Sequence, residues 1–182
     1  MISPTPSSRS FARAAALTSA LLLLVGCAPD PSPSPTPTPA FASEDEAFAA
    51  AEETYREYTD ALNLVDPANP ETFDATYIYT TGDFKASDRE NFTNMHVEHH
   101  SIQGDAIVTK FLGTSTDQFR QRIDGTICVD VSGVDVVDAD GKSVVNPERP
   151  DVYAIEVRFK VSDGRVLIDQ ASRTEDKACV AS

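Results

Sequence analysis

The stretch Tyr153–Gln170, YAIEVRFKVSDGRVLIDQ, decides the fold. Tyr153, Ile155, Val157, Phe159 and Val161 alternate with Glu156, Arg158 and Lys160, a period of two that gives a strand one buried and one wet face. Asp163-Gly164 then supplies two residues that tolerate positive φ, as a two-residue hairpin turn requires, and Val166, Ile168 and Gln170 resume the alternation. Two long antiparallel strands are predicted. Upstream, Ile127, Val129 and Val131 alternate in the same way, and the slip of phase to Val134 and Val136 predicts a bulge at Gly133. Asp140-Gly141 reads as a further hairpin tip.

Before Ile102 the period is 3.6. Ser43 and Glu46 form a capping-box pattern with an acidic first turn, Glu44-Asp45-Glu46, and Phe48, Ala51, Tyr55, Tyr58, Leu62 and Val65 follow on one face. Asp66-Pro67 ends that helix. A short second helix is expected from Glu71 to about Tyr77, with Thr81-Gly82-Asp83 as a break. Ser87 and Glu90 repeat the capping pattern, opening a third helix with Phe92, Met95, His96 and His99 on one face and His100 in the last turn.

The N-terminus has its own signature. Arg9 and Arg13 precede an apolar run, Ala14 to Val25, too short to read as an ordinary spanning helix. Leu24-Val25-Gly26-Cys27 resembles the lipobox of bacterial lipoproteins. That resemblance implies cleavage before Cys27, acylation of its thiol, and attachment of the chain to the outer face of the cell membrane. Acyl chains contribute roughly 0.8 kcal/mol per buried methylene, so a multiply acylated terminus is a stable anchor. Residues 1–27 are thus expected as a signal peptide. Residues 28–42, including PDPSPSPTPTP, are expected as an extended linker reaching roughly 40 Å, and residues 43–182 as one domain.

Loss of Arg9 and Arg13 with the signal takes the 15 basic residues to 13 against 29 acidic ones, a net charge of about −16. Such a surface repels phosphates, which argues against nucleic acid as a partner. With Cys27 acylated, Cys128 and Cys179 remain, and outside the cytoplasm such a pair is expected as a disulfide.

Helices first and antiparallel strands afterwards give an α+β class: one long helix and two shorter ones packed on a curved antiparallel sheet of about four strands. This order of elements, opened by AFAAAEETYREYTDALN, resembles the cone-shaped NTF2-like fold, which includes SnoaL-like proteins and ketosteroid isomerases. A hairpin usual in that fold between the second and third helices is reduced here to about ATYIYTTGDF. A cystatin-like helix-on-sheet arrangement is the close alternative.

All three histidines fall in MHVEHHS, residues 95–101. His96 and His99 could share a face toward a metal, but Glu98 points away, HExxH is not matched, and no third ligand is nominated. The simpler expectation is a core-edge residue at His96 or His99 and a helix cap at His100. The acidic run VDVVDADGKS has Val136 where a calcium loop needs an acid before Asp138, so a turn is expected. The NTF2-like resemblance implies a pocket between helices and sheet. The ketosteroid isomerases within it suggest a helix tyrosine, Tyr55 or Tyr58, facing an acid such as Asp74 or Asp83; two core tyrosines are the plainer reading. Phosphate loops, nucleophile elbows and cofactor motifs are absent. A non-catalytic surface lipoprotein, monomeric and binding a small molecule or protein without a cofactor, is the first expectation. An isomerase- or dehydratase-type enzyme and a metal-binding surface protein are the alternatives.

Overall fold

Helix α1, Glu44–Leu62, begins where its cap predicts. The Ser43 hydroxyl accepts from the Glu46 N–H at 3.1 Å, and the Glu46 carboxylate reaches back to accept from the Ala42 N–H at 2.9 Å. Ala47, Ala51, Tyr55 and Tyr58 are buried along its inner face. Val65 is buried too, but beyond the helix end. This computed structural model describes residues 38–175 and 177–179, so the expected signal peptide, Cys27 and most of the expected linker lie outside the described residues. Contacts with the fold begin ahead of α1: the Ala40 N–H donates to the Phe119 carbonyl at 2.8 Å, and Phe41 packs against the core.

The short second helix is a 3₁₀ turn, Pro70–Phe73, running into α2, Asp74–Tyr77. The third helix corrects the expectation drawn from Ser87. Helix α3 spans Gly82–Val97, so Ser87 and Glu90 lie in its interior. Its start is set by the sheet instead. Tyr79–Thr81 runs alongside the last strand, where the Ile168 N–H donates to the Tyr79 carbonyl and the Thr81 N–H to the Ile168 carbonyl, each at 2.8 Å. The chain then turns at Gly82, whose φ is +54°. A Cβ there would collide with the Asp169 carboxylate, so the position needs glycine twice over.

Strands β1 (Ser101–Gln103) and β4 (Asp135–Val137) form a small antiparallel pair. Strands β2 (Ile107–Thr116), β3 (Arg122–Asp130), β5 (Val152–Ser162) and β6 (Arg165–Thr174) form the main antiparallel sheet in that order. The β5–β6 turn has φ +52° at Asp163 and +73° at Gly164, the two positive values a type I′ hairpin needs. Two register expectations are corrected. Gly133 is not a bulge: β3 ends at Asp130, and Val136 belongs to the separate β1–β4 pair. Register shifts lie instead in β2, between Val108 and Lys110 and between Gly113 and Ser115, and in β6 at Asp169, because Phe159 pairs with Ile168 while Arg158 pairs with Gln170. Gln170 is thereby moved out of phase with Ile168. At the expected tip beside Gly141, the Asp138 carboxylate accepts from the Asp140 and Lys142 N–H groups, both at 2.9 Å.

The chain is therefore α+β, with three helices packed on antiparallel strands in the element order of the NTF2-like fold. The core joins Tyr55 and Tyr58 of α1 to Ile123, Ile127, Val157, Phe159 and Ile168 of the sheet. Cys128 lies one position out of phase with Ile127, hence on the opposite sheet face, and is bonded to Cys179 with Cα atoms 5.2 Å apart. The bond holds the C-terminal turn Lys177–Cys179 against Ala154 and Val152. Closing a loop across a separation of 51 residues stabilises a chain by about 4 kcal/mol on the chain-entropy model. The Cys128→Ala, Cys179→Ala double variant is expected to lose stability of that order in urea denaturation while keeping its far-ultraviolet circular dichroism spectrum.

Candidate functional site

Across the four strands, Gly113, Gly125, Val157 and Ala171 stand opposite one another in register. Directly opposed residues share a face, and Val157 marks this face as the one under the helices. The row is built of small side chains. Phe48 of α1 and Phe111 of β2 seat their rings where side chains at Gly113 and Gly125 would stand. Toward Val157 and Ala171 no such ring fills the space. A cavity of about 790 Å³ remains there, bounded on its other side by Phe84, Asp88 and Asn91 of α3.

Asp88 is the chemical centre of this wall. It is 6 % exposed, yet it lines both this cavity and a second one of about 510 Å³ beside Phe92, Met95 and Val136. The Tyr58 hydroxyl lies 3.2 and 3.1 Å from the two Asp88 carboxylate oxygens and donates to them. The Phe84 ring stands edge-on to Tyr58 with centroids 5.4 Å apart, covering the pair. Burial pushes the Asp88 carboxyl up from 3.8 to about 6, against the opposing pull of the Tyr58 hydrogen bond. Burial pushes the Tyr58 and Tyr55 phenols up as well, and the Asp88 charge adds to both.

Tyr55 and Tyr58 both lie in the core, the plainer reading, and the acid that meets Tyr58 is neither Asp74 nor Asp83. Asp74 is exposed at the start of α2, and Asp83 is exposed at the mouth of the larger cavity. Asp88 was legible in one respect. Phe84, Asp88 and Phe92 repeat every four residues, which sets an acid in the middle of an apolar stripe. Starting the helix at Ser87 hides this, because Asp88 then reads as a solvated first-turn acid and Phe84 falls outside the helix. Tyr55 packs beside Tyr58 with ring centroids 5.8 Å apart and belongs to the core.

The histidine run ends α3. His99 has φ +56° and lies beyond the helix, so it does not share a face with His96 as the spacing suggested. The His99 N–H donates to the His96 carbonyl and the His100 N–H to the Met95 carbonyl, the paired bonds of a Schellman ending. His96 Nδ1 donates to the Pro67 carbonyl at 2.7 Å, which fixes its tautomer and ties α3 to the loop after α1. His100 Nε2 stands 3.5 Å from Glu98. Among the described residues no three His, Cys, Asp or Glu side chains converge as a metal site requires.

No family model matches the sequence, and no curated protein matches it significantly. Solved structures do. The chain is similar to the intermembrane space region of the chloroplast protein ARC6, with a TM-score of 0.51 and 12 % identity over 69 % of this chain and 95 % of that one. It is similar to CagV, a VirB8 homolog of Helicobacter pylori, with a TM-score of 0.46 and 9 % identity over 71 % and 99 % of the two chains. A protein of Novosphingobium aromaticivorans assigned as an aromatic ring hydroxylase gives a TM-score of 0.45 and 20 % identity over 71 % and 94 %. At these identities the likeness concerns fold, not activity.

The sign of the Asp88 effect follows from its raised value. Between about pH 4 and 6 the folded state holds a proton that the unfolded state has released, so this group's stabilisation is full below pH 4 and lost as pH rises through 6. The shift corresponds to about 3 kcal/mol as an order of magnitude. Asp88→Asn should therefore be more stable than the parent at pH 7, with an advantage that shrinks toward pH 4. Urea denaturation at the two pH values checks this, and an advantage independent of pH would contradict it.

Proposed function

We propose that this chain is an extracytoplasmic, lipid-anchored binding protein whose domain takes a small molecule into the cavity between α3 and the sheet. The observation that carries the reading is the 790 Å³ cavity with a buried carboxylate in its wall. A void of this size is within the range of small-molecule sites, which combine apolar walls with few convergent polar groups. Val157, Ala171 and Phe84 supply the apolar contact here, and Asp88 the buried carboxylate in a lining that also holds Ser87, Asn91 and Thr126.

Anchoring belongs to the same proposal. The lipobox-like Leu24-Val25-Gly26-Cys27 supports acylation at Cys27, and the proline-rich linker supports display of the domain above the bilayer. No helix among the described residues is long and apolar enough to cross a membrane. The charge disfavours nucleic acid, and the mixed charges of Glu156, Arg158 and Lys160 on the second sheet face favour a monomer.

A catalytic reading, of isomerase or dehydratase type, is favoured by Asp88, whose carboxyl near 6 suits proton transfer at neutral pH. Against it, the Tyr58 phenol donates to Asp88 itself, so it is not free to stabilise an oxyanion on a substrate. Binding without chemistry asks less of the geometry.

Two measurements test the proposal. Cys27→Ala should abolish metabolic labelling with palmitate and release the chain from the membrane fraction. A fragment screen by amide NMR should find compounds that shift the Val157 and Ala171 resonances, with Ala171→Phe, which fills the cavity, removing those shifts. A screen in which no compound reaches those amides would retire the cavity as a binding site.

A further inference from the structure

The chemistry of the cavity wall also selects a ligand class. We infer that the ligand carries a cationic nitrogen, seated against Asp88 with its apolar body against Phe84 and Val157; this rests on the binding reading above. Asp88 is an ionisable group buried without a charged partner: among the described residues its side-chain donor is the neutral Tyr58 phenol, which brings one proton to two oxygens. A carboxylate has room for about four donors. Burying a charge is costly unless it is paired and hydrogen-bonded, and this one has an open cavity on each side in place of a partner. An ammonium group supplies both the charge and the missing donors, in a charge-assisted hydrogen bond.

The rest of the wall points the same way. The Phe84 and Tyr58 rings add aromatic surface beside Asp88, surroundings that favour a cation. Asp83 adds a carboxylate on the α3 side of the lining. Arg158 is the one cation among the described lining residues, and its guanidinium is already held by Asp124 at 2.8 Å. An anionic ligand would therefore meet a carboxylate at the rim and a committed arginine. The chain as a whole, at −14, attracts cations and repels anions.

Three probes of one shape separate the possibilities: benzylamine, benzyl alcohol and benzoate, titrated into the full chain and followed by amide NMR at Val157, Ala171 and Asp88. Benzylamine is expected to bind about tenfold more tightly than benzyl alcohol, and benzoate least. Asp88→Asn should erase the preference for the amine while leaving the affinity for the alcohol nearly unchanged. Tyr58→Phe, measured at pH 8 so that Asp88 stays ionised without its neutral donor, should preserve or strengthen that preference. Equal binding of amine and alcohol, tighter binding of benzoate, or loss of the preference in Tyr58→Phe would overturn the cationic assignment and leave the cavity as a binding site. Failure of all three probes to shift these amides would remove the cavity reading and the assignment together.

Discussion

The hydrogen bond between Tyr58 and Asp88 is the contact around which the helical layer is organised. It joins the middle of α1 to the middle of α3. Hydrophobic contacts hold Phe84 against the sheet core and Phe92 against Phe73 and Tyr77, and such contacts alone would tolerate several rotations of α3. A buried carboxylate tolerates few of them, because turning it away from the phenol leaves it without a donor. Asp88, held by this bond, stands in the lining of two cavities.

The sheet contributes the complementary constraint. A continuous row of large residues on its inner face would leave α1 and α3 no space to enclose. Glycine at 113 and 125, valine at 157 and alanine at 171 make the row shallow, and Phe48 and Phe111 refill only part of it, leaving Gly125, Val157 and Ala171 in the cavity lining. The cavity is thus a consequence of strand register. The disulfide sits behind it, on the opposite face of β3, where it ties the C-terminus down without entering the enclosed space. Covalent stabilisation on one face leaves the other free to stay underpacked.

Much of the architecture was legible because it depends on local rules. The first helix, its cap, the Asp163-Gly164 hairpin, the alternation of β5 and the cysteine pairing each follow from a short stretch read against one physical preference. What failed depends on tertiary partners. Nothing near Ser87 says that the helix starts five residues earlier; Gly82 takes that role because Tyr79–Thr81 pairs with β6, more than 80 residues away in the chain. The slip at Asp169 and the termination before Gly133 are likewise decided by neighbouring strands. The error in the helix start carried into the site. It moved Asp88 from the middle of a buried stripe to a solvated first turn, and so Asp74 and Asp83 were nominated in its place.

A site of this kind explains why the sequence carries no recognisable motif. Metal centres and phosphate loops need several polar groups at fixed spacing, and such spacing can be read in a chain. Here the buried polar pair in the wall is a carboxylate and a phenol, 30 residues apart on different helices. Each is unremarkable at its own position, an acid in a polar helix and a tyrosine in an amphipathic one. Their meaning arises only when the fold removes water from both, since burial is what turns an ordinary aspartate into a group pushed up to about 6. Desolvation and cavity shape are properties of the assembled structure that a linear pattern does not encode.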